Sequence, residues 1–385
     1  MVTSSPNKTI VVYGGSFDPI HLGHIEAIKS LYENFKPARF FLVPTYRHHF
    51  KKTVASFHDR VKMVDIATSK LPFEVKVSTI EKKLYQGDED GAPQFSATFQ
   101  TLTYFKNRYP NCRIIYPIGL DLLSELDTWY KIEEVSKLAG LCLMNRPWSK
   151  LAKNDNLEYI SSSVSIKTPI DISSCQIRDG SNLIEDIDVL KYISTKNLYY
   201  MQLLVKFLSK KRLMHSISVA ETSYDIAVSN GLDKYKCYQA GLFHDVGKDL
   251  PKDEQFELMK EFYPEEVSFP RYSYHQFVSA YLAKKYFKVN DDAVLKAMLY
   301  HCTGNSNMSE IAKSVYVADK VEPLRDFPTK MIREQAFKSL DNALYLVLQD
   351  QKRYFDEHQI DYLNNPWTIG AYKEYFDDYK WKGER

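Results

Sequence analysis

Short apolar runs rich in β-branched and aromatic residues punctuate the first half of the chain at 9–13, 40–43, 73–77, 113–116 and 141–144. Between them, 23–34, 58–69 and 98–109 place their apolar residues at helical spacing. That alternation predicts a parallel, doubly wound α/β sheet. Loops are marked at 86–93, which is acidic with two glycines, and at 154–169. Past about residue 200 the strand pattern disappears, and the apolar spacing through 379 is helical, which predicts an all-α second half. The boundary falls near Tyr200, with 191–200 closing a first domain (1–200) and 203–213 opening a second (201–385).

Length supports the division, because 385 residues are too many for one compact core. A net charge of +2 argues against a nucleic-acid-binding surface, since no strong basic field exists. Small anionic ligands need only a few local cations and stay open. The five cysteines are scattered without a CxxC pair, which reads as reduced thiols. No segment approaches the roughly 20 apolar residues of a membrane span. These features predict a cytoplasmic protein with no membrane partner, and they leave the oligomeric state open.

The candidate chemistry of the first half follows the first strand: GGSFDPIHLGH at 14–24. Gly14 and Gly15 let the backbone approach an anion, and the helix that opens there offers free N–H groups and a positive dipole end. His21 and His24 can face that anion and donate hydrogen bonds that strengthen as charge develops on a transferring phosphate.

This string, with its HxGH ending, resembles the signature of the bacterial nicotinate-mononucleotide adenylyltransferases of the HIGH-type nucleotidyltransferase superfamily. Further pieces agree in order: Pro44 with HFK at 49–51, SATFQTL at 96–102, IGLD at 118–121 followed by Trp129, and ISSCQIR at 172–178. The resemblance implies a Rossmann-like fold over the first domain. It implies adenylyl transfer from ATP to nicotinate mononucleotide with Mg²⁺ on the ATP, the mononucleotide phosphate attacking in line and pyrophosphate leaving. His21, His24, Lys51 and Arg178 would contact phosphates. Gly14, Gly15, Ser16, Phe17, Asp18, Gly119, Asp121, Ser173 and Ser174 would bind ATP, and Thr98 and Trp129 would hold the pyridine. The chain departs from the family at Gln100 (an aspartate there), Leu120 (a small residue) and Cys175 (a threonine). None of these removes a charged phosphate ligand.

In the second half His215 lies in a helical segment, His244-Asp245 in apolar helical context, and His275, His301 and Asp319 follow. Imidazoles and carboxylates without thiolates suit a divalent metal such as Fe²⁺, Mn²⁺ or Zn²⁺. The pattern His…His-Asp…Asp resembles the HD phosphohydrolase superfamily, an all-α fold, and the two extra histidines resemble its binuclear members. That resemblance implies one metal on His215, His244, Asp245 and Asp319, and a second completed by His275 and His301 with Asp245 bridging, iron being the leading candidate. HDVGK at 244–248, HCTG at 301–304 and ADKVEPLR at 318–325 resemble one branch, which splits diadenosine tetraphosphate symmetrically into two ADP. Lys248 and Arg325 would bind its phosphates. A nucleotidase, another nucleotide phosphohydrolase, or a regulatory nucleotide-binding module are the alternatives for this half.

Overall fold

The computed structural model describes residues 8–47, 54–84, 97–145, 156–325, 329–361 and 364–378. The chain divides into two compact units, one over 1–175 and 184–195, the other over 176–183 and 196–385.

The first unit is a six-stranded sheet: β1 Thr9–Gly15, β2 Arg39–Pro44, β3 Lys76–Val77, β4 Arg113–Gly119, β5 Gly140–Asn145 and β6 Ile160–Ser165. The order is β3-β2-β1-β4-β5-β6, and every pair is parallel. Ile10, Val11 and Val12 on β1, like Leu42 and Val43 on β2, are buried on both faces, as central strands of a parallel sheet must be. The connections run through α1 Leu22–Phe35, α2 Phe57–Thr68 and α3 Thr98–Arg108, close to the predicted helices, and through α4 Ile132–Leu138, where none was predicted. The strand order reverses between β1 and β4, so the crevice at their carboxyl ends is where this architecture receives a ligand. Gly14 pairs with Val43 and Gly15 with Pro44 along that edge, and Gly119 ends β4.

Two strand expectations are corrected. The segment 154–169, expected to be a loop, contains β6. Its sequence ISSSVS carries little apolar signal because only Val164 is buried, and pairing to β5 holds it in place. β3 is two residues long where five were expected. The loop expected at 86–93 lies outside the described residues.

The second unit is helical, with no strand among the described residues. Its principal helices are α5 Lys210–Asn230, α6 Lys234–Phe243, α7 Tyr274–Phe287, α8 Asp292–Tyr300, α9 Glu310–Val321 and α10 Leu340–Glu357. Side-chain caps start several of them. Asp233 accepts the N–H groups of Tyr235 and Lys236, Asp291 those of Ala293 and Val294, and Ser309 that of Ala312. α5 stops at Gly231, whose φ of +68° favours glycine. Among the described residues no helix is long and apolar enough to cross a membrane.

Candidate functional site

In the first unit the chain leaves β1 at Gly14-Gly15 and enters α1 through His21, its N-cap residue. A Cβ on Gly23 would lie 3.0 Å from His21 Nδ1 and 3.2 Å from Ile172, so glycine there lets the His21 ring lie back over the helix. The rings of His21 and His24 lie against each other at a tilt of 34°, with centroids 3.7 Å apart. The backbone N–H of His21 donates to Nδ1 of His24 at 3.1 Å. Neutral His24 therefore carries its proton on Nε2, the nitrogen that can donate to a phosphate.

Three residues of the loop also hold it in place. Phe17 is buried, with φ at +45°, and its ring meets His24 edge-on. Asp18 is buried and its carboxylate accepts the backbone N–H groups of Val54 (2.7 Å) and Ala55 (3.1 Å). The Ser16 carbonyl accepts from the fully buried Arg60 at 2.6 Å. These contacts set the shape of the loop. Sequence reasoning missed this role of Arg60, as it missed Glu81, which accepts the Tyr46 N–H (2.9 Å) and the Thr101 hydroxyl (3.3 Å).

Ser174 donates its hydroxyl to the Pro19 carbonyl at 2.8 Å, and Ser173 is exposed. Asp121 is exposed just past β4. Thr98 opens α3, and half-buried Trp129 stands edge-on to Tyr116 at 6.3 Å. Arg178 lies on the short helix Ser174–Asp179, whose residues from Gln176 onward cluster with the helical unit. Lys51 lies outside the described residues.

In the second unit all six predicted ligands converge. His215 projects from α5, His244 and Asp245 follow α6, His275 lies in the first turn of α7, His301 follows α8, and Asp319 is in the last turn of α9. Asp245 is the hub. Its Oδ1 is 3.4 Å from Nε2 of both His275 and His301, and its Oδ2 is 3.7 Å from Nε2 of His244. Asp319 Oδ1 is 3.0 Å from His215 Nε2 and 3.7 Å from His244 Nε2. Donor atoms fall into three overlapping groups within 4.8 Å: His215, His244 and Asp245; His244, His301 and Asp319; Asp245, His275 and His301.

The donor chemistry fits divalent cations. The Nδ1 atoms of His244, His275 and His301 face backbone carbonyls, which only accept, so each ring turns an Nε2 lone pair into the cluster. Two of those lone pairs, on His275 and His301, lie 3.2 Å apart. His244 Nε2 and Asp245 Oδ1 are buried with no hydrogen-bond partner, a costly arrangement that a cation between them would relieve.

The titration behaviour agrees. Burial pulls His244 down to about 4, and burial with the nearby Lys248 ammonium puts His275 well below its ordinary value. Burial pushes the Asp245 carboxyl up, but the His244, His301 and His275 rings outweigh it and hold it well below the usual carboxylate range. Neutral imidazoles and ionised carboxylates are the ligand forms. His215 differs: burial opposes protonation, yet the hydrogen bonds to Asp319 and Glu322 raise it to about 9, so this ring must give up a proton to act as a ligand.

The cluster floors a cavity of about 570 Å³ whose wall includes Lys211, Arg212, Lys248, Lys320 and Arg325. Arg212 donates to Asp245 (2.8 Å) and Asp249 (2.9 Å), Arg325 to Asp319 (2.6 Å), and Lys248 sits 2.8 Å from His275 Nε2. Each buried carboxylate of the cluster thus has its own arginine. Arg212 and Glu322 were missed by sequence reasoning. The only signal was that Arg212 stands three residues before His215, and Glu322 three after Asp319, one helical turn in each case.

The chain matches the HD domain family over residues 212–324 and the cytidylyltransferase-like family over residues 12–179. A Mycoplasma pneumoniae protein named "Probable nicotinate-nucleotide adenylyltransferase/Ap4A hydrolase" is 31% identical over 339 residues, covering 86% of this chain and 92% of its own. A "Bis(5'-nucleosyl)-tetraphosphatase, symmetrical" of Halalkalibacterium halodurans is 34% identical over 153 residues, 37% of this chain and 79% of its own. Among solved structures, a "predicted HD superfamily hydrolase involved in NAD metabolism" from Clostridium acetobutylicum is 32% identical, with a TM-score of 0.41, covering 45% of this chain and 93% of that one.

Proposed function

Because the chain belongs to the family of two-part nicotinate-nucleotide adenylyltransferase/Ap4A hydrolases, we propose that its two units carry two separate phosphate chemistries. The first joins the adenylyl group of ATP to nicotinate mononucleotide, releasing pyrophosphate and forming deamido-NAD. The second hydrolyses diadenosine tetraphosphate to two ADP.

In the first unit no protein nucleophile is needed. The mononucleotide phosphate oxygen attacks the ATP α-phosphorus in line, and the bond to the pyrophosphate oxygen breaks. The glycine edge of β1 and the N-terminus of α1 receive the triphosphate, which arrives with Mg²⁺. His24, by donating from Nε2, stabilises the charge that grows on the transferring group. His21, Lys51 and Arg178 are assigned to phosphates, Gly119, Asp121, Ser173 and Ser174 to ATP, and Thr98 and Trp129 to the pyridine, on the strength of the motifs they stand in.

In the second unit the single observation that carries the reading is Asp245, a buried carboxylate with three imidazole nitrogens within 3.7 Å. We assign His215, His244, Asp245 and Asp319 to one cation, and His275 and His301, with Asp245 shared, to the other. Iron is the leading candidate and manganese or zinc the alternatives, because the donors are imidazole nitrogen and carboxylate oxygen. When bound, such cations lower the pKa of water and neutralise phosphate charge. Lys248 and Arg325 hold the phosphates that flank the one attacked. That number of cations exceeds what a monophosphate ester needs and suits a polyphosphate. The reading extends to a cytoplasmic location, which five free thiols support.

Product identity tests both halves. The full chain with ATP, Mg²⁺ and nicotinate mononucleotide should yield deamido-NAD and pyrophosphate. With diadenosine tetraphosphate and a divalent metal, chromatography should show ADP alone. ATP plus AMP would indicate asymmetric cleavage, and nucleoside released from mononucleotides a nucleotidase; either result overturns the second assignment.

A further inference from the structure

Four histidines reach the cation cluster, and three are oriented by backbone. His244, His275 and His301 each give Nδ1–H to a carbonyl three residues earlier, at 2.7, 2.8 and 2.7 Å. All three stand at a helix end, where such carbonyls or turn carbonyls are open to a side chain. His215 lies inside α5, where the preceding carbonyls belong to the helix ladder. Its Nδ1 lies instead 2.9 Å from Oε1 of Glu322, while its Nε2 lies 3.0 Å from Oδ1 of Asp319.

Resting on the metal-centre reading above, we propose that Glu322 is a positioning residue: it accepts the Nδ1 proton of His215 and so keeps Nε2 as the ligand atom. Glu322 is 1% exposed and is itself fixed, because its Oε2 accepts the Leu324 N–H at 2.7 Å. Asp319 and Glu322 stand one turn apart at the end of α9, so a single helix terminus brackets both nitrogens of the ring. Two other groups face this carboxylate: the Ser218 hydroxyl, and Arg325, whose Nε is 3.9 Å from the same oxygen, a full ångström farther than His215. Glu322 is absent from the donor groups that converge within 4.8 Å, which separates it from the ligands. A carboxylate on the far nitrogen sets the tautomer and raises the basicity of the ligating one. His215 is thus the one histidine of the four whose Nδ1 proton goes to a side chain rather than to a backbone carbonyl.

The test is Mn²⁺ binding to the metal-stripped full chain, measured by calorimetry and by metal content after desalting. Circular dichroism and melting of the metal-free variants check the fold. Glu322→Ala should lose about 10- to 100-fold in Mn²⁺ affinity. Glu322→Gln keeps an acceptor without the charge, and its one oxygen cannot serve both His215 and the Leu324 N–H, so it should lose roughly 3- to 10-fold. In a His215→Ala background, Glu322→Ala should add less than about 2-fold, because the two act through one ring. Wild-type affinity in both variants, or additivity with His215→Ala, overturns the proposal. Should Glu322→Ala fold poorly, Glu322→Gln decides alone: the stated loss supports the proposal and wild-type affinity overturns it. Absence of Mn²⁺ uptake by the wild-type chain would instead bring down the metal-centre reading, and this inference with it.

Discussion

Gly241→Ala tests how the helical unit aims its candidate metal ligands. Gly241 lies in α6 where that helix crosses α5, three residues before His244. A Cβ there would stand 2.7 Å from the Ser223 hydroxyl, 2.9 Å from Ala220 Cα and 3.1 Å from Ala220 N. The hydroxyl can rotate, but the Ala220 backbone cannot. Carbon contacts settle near 3.5–4.0 Å, so the two helices must part by roughly 0.5–1 Å. Alanine gains about 1 kcal/mol of helix propensity over glycine. Forcing a methyl into a packed contact costs about 1–3 kcal/mol, and here the obstacle is backbone, which puts the cost at the upper end. The net expectation is a loss of about 1–2 kcal/mol, or some 2–8 °C in the melting of a unit this size. Because the Gly241 carbonyl holds His244 Nδ1 at 2.7 Å, the same shift should weaken divalent-metal binding. Thermal denaturation followed at 222 nm, with and without chelator, reads the first effect, and metal titration the second. Gly231→Ala is the control: nothing lies within 4 Å of its Cβ, and its φ of +68° costs stability through backbone strain alone. Gly241→Ala melting at or above wild type would refute the close-approach argument. Equal metal loss in both variants would refute the link to His244.

Other outcomes follow from single groups. Asp245→Asn, which keeps the shape and removes the shared charge, should take up fewer than half the divalent ions of wild type by elemental analysis and lose tetraphosphate hydrolysis together with them. His24→Ala should lower kcat for adenylyl transfer by about 100- to 1,000-fold, with smaller changes in KM; the lost cap contact costs only about 1 kcal/mol. Glu185 is fully buried, Oε2 has no hydrogen-bond partner, and burial holds its carboxyl well above the usual range. The folded chain therefore keeps a proton that the unfolded chain releases above its ordinary value, and stability falls as pH rises from there towards the folded value. Glu185→Gln should remove that slope, stabilising the first unit by about 1 kcal/mol or more at pH 8 and changing little at pH 4; a gain that is equal at both pH values would refute it.

Much of the site chemistry was legible in the chain because it is local. GGSFDPIHLGH places three glycines, a helix start and two histidines within eleven residues, so the strand-to-helix corner and its candidate anion-facing groups follow from adjacency. His244-Asp245 and the residues of 318–325 are likewise read from contiguous motifs. Apolar runs buried on both faces announced β1, β2, β4 and β5, whereas β6 did not announce itself. Four serines in six residues at an edge position carry no apolar period, and only pairing to β5 makes a strand of them. Tertiary structure alone decided which groups serve the ligands. Arg212 reaches Asp245 across 33 residues and Glu322 reaches His215 across 107, distances over which no periodicity speaks. It also decided that 176–183, next in sequence to the first unit, packs with the helical one: the carbonyl of Gly180, at φ +85°, accepts from the Gln239 amide, and a Cβ there would press against Phe243 and Tyr200. Residue types and their local order declare which chemistry is available. Orientation, pairing and burial depend on long-range packing, whose energy is spread over residues that carry no chemical signature of their own.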